Sequence, residues 1–222
     1  PIYPLYVRDA QGNIMEKNGY KEYDANQTNF KRPGITGNAV RDNEINTNKT
    51  YADVLNGKIG LVISPIKGLD ITANVGLMND NTRYNYLYSR FASGSGSDGS
   101  VSVGHSRIFA LNTQYLVSYK TDFNGSKHNL DLLAGYELYS LKIQSLTGSN
   151  THLFDPTVGE LGNADGTSQK KTSSYTADYI TQGFLARAQY DYDGKYFISG
   201  SYRRDASSRF APGHRWGNFC SV

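Results

Sequence analysis

From residue 51 onward, apolar and polar side chains alternate with a period of two, which is the pattern of a β-strand with one apolar face. The alternation is cleanest from Leu69 to Leu77, where odd positions are apolar and even positions are polar or glycine. Further runs follow the same rule at 55–63, 109–120, 129–138, 184–192, 195–203 and from 216 onward. The pattern predicts an all-β fold, with about seven antiparallel strands in residues 51–222. Residues 1–50 are polar and without a sustained period, so we predict a long loop there.

The connections between these strands alternate between short and long. Turn residues mark three tight connections, at Pro65–Gly68, Asn124–Gly125 and Asp193–Gly194. Two long polar stretches, 89–104 and 145–178, are predicted to be loops. All tight turns then fall at one end of the sheet, as in a transmembrane β-barrel with short periplasmic turns and long extracellular loops. Aromatic residues flank the tight turns, where an interfacial girdle would lie: Tyr119, Phe123, Tyr190, Tyr192 and Tyr196.

A soluble β-sandwich also has strands with one apolar face, and it remains the alternative to a barrel. Three features favour the barrel: the aliphatic content is lean, the loops are asymmetric, and the polar faces carry charges. Four carboxylates share the predicted polar faces and would line a wet lumen: Asp70, Asp131, Glu137 and Asp191. Seven strands would not close by themselves, because an open sheet edge in lipid leaves backbone groups unpaired. We therefore expect an arc of a larger barrel, or a sheet that pairs with other chains.

Composition and charge exclude several classes of function. Only 38% of the residues are hydrophobic, and the net charge of +3 is too small and too scattered to predict nucleic-acid binding. A single cysteine, Cys220, excludes an internal disulfide framework. The four histidines share no metal-ligand spacing, so we predict no metal, no cofactor and no enzymatic activity. Gly94–Gly96 is interpreted as a flexible loop, because no helix is predicted after it.

The region around residues 203–219 carries the most specific motif. Arg-Arg-Asp-Ala-Ser-Ser-Arg-Phe at 203–210, followed by Arg-Trp-Gly-Asn-Phe at 215–219, closely resembles a recurrent barrel segment of SusC/RagA-like TonB-dependent outer-membrane transporters. Ala206 stands where this family usually has glycine, and Cys220 where it usually has proline. We expect the motif residues to be structural; they are Arg204, Asp205, Ser207, Ser208, Arg209, Phe210, Arg215, Gly217 and Phe219.

The resemblance implies a 22-stranded barrel in the outer membrane of a Gram-negative bacterium. It also implies a plug and a TonB-contacting segment, neither of which is recognised in this chain. Pro1 is not an initiator methionine and the last strand is interrupted at Val222, so we expect a piece of a longer protein. The implied partners are outer-membrane lipid, the TonB complex and a SusD-like lipoprotein. The implied function is import of large nutrients, oligosaccharides more often than peptides.

Two expectations concern individual side chains. Asp205 lies between Arg204 and Arg209 in the sequence, which predicts an ion-pair network that orders this segment. In the stretches predicted to be extracellular (1–50, 89–104 and 145–178) or just beyond them, several tyrosines are candidates for stacking on sugar rings, although none is assigned as a substrate contact: Tyr3, Tyr6, Tyr20, Tyr23, Tyr175 and Tyr179. An all-β binding or adhesion module that is soluble remains the competing function.

Overall fold

A computed structural model describes residues 6–17, 19–22, 24, 39–92, 98–165 and 171–222. Two of the candidate tyrosines, Tyr3 and Tyr23, and the glycine-containing segment Gly94–Gly96 lie outside the described residues. The elements in the described part are β1 (Glu16–Lys17), β2 (Tyr20–Lys21), α1 (Ala39–Ile45), β3 (Thr47–Ile66), β4 (Leu69–Tyr88), β5 (Ser100–Phe123), β6 (His128–Thr151), β7 (Lys171–Tyr192), β8 (Tyr196–Ser207) and β9 (Trp216–Ser221).

Strands β3 to β9 form one seven-stranded sheet in which sequence neighbours are spatial neighbours, in the order β3-β4-β5-β6-β7-β8-β9. Strand β7 pairs with β8 in antiparallel register, with Arg187 opposite Ser201. Strand β8 pairs with β9 in the same sense, with Asp205 opposite Gly217. The predicted all-β antiparallel fold is therefore confirmed. A small separate hairpin, β1-β2, precedes the helix.

The tight turns are where the sequence placed them. Only Lys67 and Gly68 separate β3 from β4, and Gly68 has a positive φ of 83°. Between β7 and β8, Asp193 and Gly194 both adopt positive φ, 53° and 66°. Two successive left-handed residues match the right-handed twist of the flanking strands, as in a type I′ hairpin.

The long connections are shorter than the sequence predicted, and residues 1–50 are not one loop. Strand β5 already begins at Ser100, β6 continues to Thr151 and β7 begins at Lys171. The ends of β6 and β7 have no sustained apolar alternation, and the start of β5 offers only Val101 and Val103 among serine and glycine. Helix α1 has only seven residues, too few to display a helical period, and β3 begins at Thr47 rather than at residue 51.

The apolar face of the sheet is exposed. Side chains on it such as Ile59, Val117 and Ile198 are 78%, 44% and 63% exposed. No second sheet covers them among the described residues. A soluble β-sandwich would bury this face, so the surface does not fit that alternative.

The chain divides into two compact units. Unit 1 comprises Pro1–Ala52, Thr82–Ser106 and Ser145–Tyr175, and unit 2 comprises Asp53–Asn81, Arg107–Gln144 and Thr176–Val222. Unit 1 holds a small hydrophobic core of Leu87, Val101 and Leu153, against which Val103, Leu161 and Ala164 pack.

The described part of the connection between β6 and β7 is tightly braced. The side chain of Asn163 donates to the backbone carbonyls of Asp155 and Val158, at 2.6 and 2.8 Å. The Thr157 hydroxyl donates to Asp155 at 2.6 Å and lowers the pKa of that carboxyl. The described part of this loop is therefore an ordered part of unit 1.

Candidate functional site

The polar faces of the unit 2 strands form a continuous chain of hydrogen bonds, here called the polar ladder: Asn74, Gln114, Glu137, Arg203 and Asp205. The Asn74 amide donates to the Gln114 Oε1 at 3.1 Å, and the Gln114 amide donates to the Glu137 Oε1 at 2.7 Å. Arg203 Nη2 then donates to the Glu137 Oε2 at 2.9 Å. Arg203 Nε reaches both Asp205 oxygens at 2.8 Å.

Strand β7 lies between β6 and β8, and it contributes no side chain to the polar ladder. Its residue opposite Asp205 is Gly183. A Cβ at this glycine would collide with the Asp205 carboxylate and approach Arg203 Nη2 to 3.3 Å. Gly183 therefore leaves the gap through which Arg203 crosses β7 to reach Glu137 on β6.

The ion pair of Asp205 differs from the one predicted. Its partner is Arg203, at 2.8 Å, and the prediction that Arg204 and Arg209 flank it as ion-pair partners is wrong. The reason is the pleat of β8, because residues 203 and 205 share one face and residue 204 points to the other. The Arg204 guanidinium instead lies 4.7 Å from the Trp216 ring, and Trp216 stacks with Phe184 at 6.1 Å. Arg209 lies 4.4 Å from the Tyr179 ring.

The polar ladder forms one wall of a groove of about 930 Å³ in unit 2, here called the inner groove. Six of the motif residues line it: Asp205, Ser207, Phe210, Arg215, Gly217 and Phe219. Lys58 on β3 and His214 in the β8–β9 connection also line it. These motif residues thus form part of the groove wall, and the structural role expected for the motif stays a prediction.

The motif serines attach the β8–β9 connection to the sheet. The Ser208 amide donates to the Ile180 carbonyl at 2.8 Å, and the Ile180 amide donates to the Ser208 hydroxyl at 2.9 Å. The Ser207 amide donates to the Arg215 carbonyl at 3.1 Å. Arg215 Nε donates to the Phe210 carbonyl at 3.2 Å. These bonds hold both ends of the connection in a fixed position beside the inner groove.

An aromatic cluster forms at the tight-turn end of unit 2, on the apolar face. The His128 ring stacks on Phe123 and packs against Tyr192, each with ring centroids 4.9 Å apart. His128 Nδ1 is 2.6 Å from the Tyr190 hydroxyl, and Tyr192 stacks with Tyr196 at 6.3 Å. Four of the five predicted girdle residues therefore meet, all but Tyr119, and His128 is a member that the sequence analysis missed although it directly follows a tight turn.

The four carboxylates predicted to line a lumen are not brought together at one place. Glu137 belongs to the polar ladder, while Asp131 and Asp191 line a second groove of about 550 Å³. Lys120 is 3.5 Å from Asp131. Asp70 accepts a hydrogen bond from the Ser64 hydroxyl and lines neither groove.

Of the candidate loop tyrosines that the structure describes, two lie in strand β7. Tyr175 is 58% exposed, and Tyr179 contacts Arg209 and lies edge-on to Tyr139. In unit 1, Tyr20 packs against Phe91 with ring centroids 5.4 Å apart. Residues 6–17, 19–22, 24, 39–92, 98–165 and 171–222 contain no group of three potential metal ligands and no helix long and apolar enough to cross a membrane.

The chain resembles proteins of one class, the TonB-dependent receptors. No protein-family model matches it. TonB-dependent receptor P39 of Formosa agariphila is 22% identical over 222 residues, which cover 96% of this chain and 21% of that receptor. TonB-dependent receptor P3 of the same organism is 23% identical over 157 residues, covering 70% and 16%. The chain therefore spans about a fifth of the length of these relatives.

Two solved structures identify the particular fold. The RagAB peptide transporter superposes with a TM-score of 0.79 and 22% identity, over 91% of this chain and 22% of that one. The RagAB peptide importer in the closed-closed state gives a TM-score of 0.76 and 24% identity, over 95% and 22%. The resemblance to SusC/RagA-like TonB-dependent transporters inferred from the motif is confirmed, and the chain shares their fold.

Proposed function

We propose that this chain forms part of the barrel wall of a SusC/RagA-like TonB-dependent transporter, which imports large nutrients across the outer membrane of a Gram-negative bacterium. The observation that carries the proposal is the two-faced sheet. Its exposed apolar face fits lipid, and its opposite face holds the polar ladder and the inner groove. The shared fold with RagAB supports the same conclusion.

The strand lengths support a membrane location. Crossing the hydrocarbon layer takes about 9–11 residues of a tilted strand, whereas β4 has 20 and β5 has 24. Strands β4 and β5 can therefore cross the bilayer and continue into the aqueous phase on the side of the long connections. The cluster of Phe123, His128 and Tyr192 at the tight turns would mark the periplasmic interface, where aromatic rings are favoured.

The mechanism we propose is binding and energised translocation without covalent chemistry. The relatives are named receptors and transporters, which agrees with a non-enzymatic role. The polar ladder would present a hydrogen-bonded, water-compatible wall toward the transport path. The plug and the TonB-contacting segment would belong to other parts of the parent protein.

The partner and the cargo follow from the class of transporter. A SusD-like lipoprotein would sit at the end of the sheet that carries the long connections. The cargo would be a large oligomer. RagAB is named a peptide transporter, which supports a peptide, while the family resemblance favours an oligosaccharide.

Membrane fractionation of the native bacterium tests the proposal. The parent protein should sediment with the outer membrane and resist extraction by alkaline carbonate, because lipid covers the apolar face. Its removal, or removal of TonB, should abolish uptake of the cargo. Release by carbonate into the soluble fraction would show that the apolar face is covered by protein, and the soluble binding module would replace the transporter.

A further inference from the structure

We propose that the inner groove binds an anionic group of the cargo, a carboxylate in the first place. This inference rests on the proposed function, because only a wall of a transport path would bring cargo to this face. The charge balance of the groove, one immobilised arginine and two exposed phenylalanines carry it.

The charged side chains of the inner groove leave positive charge uncompensated. Three cations line it, Lys58, Arg203 and Arg215, and two carboxylates, Glu137 and Asp205. Both carboxylates are bound by Arg203, at 2.9 and 2.8 Å. Within the part of the chain that the structure describes, Lys58 and Arg215 have no carboxylate within ion-pair distance. A cavity wall with unpaired cations attracts anions, since charge in a cleft is screened less than on an open surface.

Arg215 is the best placed of these cations for recognition. Its backbone carbonyl accepts from the Ser207 amide at 3.1 Å, and its Nε donates to the Phe210 carbonyl at 3.2 Å. The first bond fixes the Arg215 backbone and the second holds its Nε, and the residue itself lines the groove. An arginine held in this way presents a planar fork that suits a carboxylate, and little ordering is needed on binding.

Aromatic surface lies beside these cations. Phe210 and Phe219 both line the inner groove, and each is 60% exposed. Phe219 lies opposite Arg203 in the register of β8 and β9, so its ring is on the same face of the sheet as the polar ladder. Contact with lipid does not explain these rings, because they lie on the groove side of the sheet and not on its apolar face. Apolar rings next to a few fixed polar groups are the usual lining of a ligand site.

The shared ligand chemistry is a carboxylate presented next to an apolar or ring-shaped surface. An acidic peptide carries it on glutamate or aspartate side chains, and an acidic oligosaccharide carries it on uronic acid rings. Both sources would present the same group to Arg215 or to Lys58, and the aromatic rings would pack against either a peptide side chain or a sugar ring. Probes of both kinds are therefore needed to separate them.

Binding to the full-length parent transporter, purified from the outer membrane in detergent, tests the inference by fluorescence anisotropy. Four labelled probes are compared: a glutamate-containing hexapeptide, its glutamine counterpart, an oligogalacturonate and a neutral glucan of equal length. The wild-type protein should bind at least one anionic probe at least tenfold more tightly than its neutral counterpart. Arg215→Gln should weaken that binding about tenfold, the range expected for a hydrogen bond to a charged group. The peptide and sugar arms identify the source of the carboxylate.

Three further variants keep the test decisive. Lys58→Gln should weaken the same probe, and Arg215→Lys should retain part of the affinity, because it keeps the charge and loses the fork. Lys195→Gln is the matched control, since Lys195 lies in a tight turn and pairs with Asp193 at 2.6 Å, away from the groove. It should leave binding unchanged.

Equal affinity for anionic and neutral probes, no binding of any probe, or full affinity in both Arg215→Gln and Lys58→Gln would overturn the inference. Any of these results in a protein that still fractionates with the outer membrane leaves the transporter proposal intact. Failure of fractionation itself would remove the transporter proposal, so the two failures are distinguishable.

Discussion

The contact between Arg203 and Glu137 spans strand β7. It is possible because residue 183 of that strand is a glycine, which has no side chain to block it. Glycine weakens a strand interior, because it loses more conformational freedom on folding and has no side chain to pack. At Gly183 the polar ladder supplies the compensation, since the Asp205 carboxylate and the Arg203 guanidinium occupy the space of the missing Cβ. The glycine in β7 thus allows a side-chain contact between its two neighbours, β6 and β8.

We predict that Gly183→Ala disrupts the polar ladder and lowers the free energy of unfolding by about 1–3 kcal/mol, the usual cost of an overpacked site. Gly200→Ala is the control, because a Cβ there would meet nothing nearer than the Ser221 carbonyl oxygen at 4.0 Å. The measurement is the unfolding temperature of the parent protein in detergent, read from the heat-dependent shift of its electrophoretic band. Equal temperatures for the two variants would mean that the polar ladder does not constrain β7.

The error at Asp205 is instructive at the same scale. Closeness in sequence pointed to Arg204, whereas the period of two already placed residues 203 and 205 on one face. The alternation also assigned Asn74, Gln114 and Glu137 to polar faces. It could not show that these three meet side by side, because lateral neighbours depend on strand register. The residues of the long connections fix the register of the strands that they join, and these residues show no periodic pattern in the sequence.

Among the elements, the alternation located the portions of the strands that have one apolar face and missed their ends. Strand β6 extends to Thr151 and β7 begins at Lys171, although 145–178 shows no sustained alternation. In water both faces of a strand can be polar, so the signal disappears while the hydrogen-bonded ladder continues. The tight turns were predictable because asparagine, aspartate and glycine accept the left-handed backbone that a hairpin needs.

An element-level prediction compares adjacent positions of β5 on opposite faces. Val117 is on the apolar face and 44% exposed, and Ser118 is on the polar face. Val117→Arg should destabilise the inserted protein by about 2–4 kcal/mol, as for an arginine facing the middle of the bilayer. Ser118→Arg should cost less than about 1 kcal/mol. Refolding yield into lipid vesicles along a urea series measures both, and a larger penalty at Ser118 would invert the assignment of the faces.

At the scale of the whole molecule, we propose that the sheet separates lipid on its apolar face from water on its polar face. In the proposed transporter the apolar face meets hydrocarbon, which agrees with its exposure in the part of the chain that the structure describes. The polar face carries ordered hydrogen bonds and a groove, which are of use only if water or a ligand reaches them. The alternation indicated both faces, but the class of transporter came from the motif at 203–219, because a two-faced sheet alone does not specify what it transports.

The most direct test measures whether each face of β8 is exposed to lipid or to water when the protein is in a membrane. Single cysteines at Ile198, Ser199, Ser201 and Tyr202, placed in the parent protein with Cys220→Ser and reconstituted in lipid vesicles, can carry a spin label. Electron paramagnetic resonance then compares collisions with oxygen, which concentrates in lipid, and with a water-soluble nickel complex. The account predicts oxygen-dominated collisions at Ile198 and Tyr202 and nickel-dominated collisions at Ser199 and Ser201. Nickel-dominated collisions at all four positions would contradict it, because the apolar face would then not be in lipid.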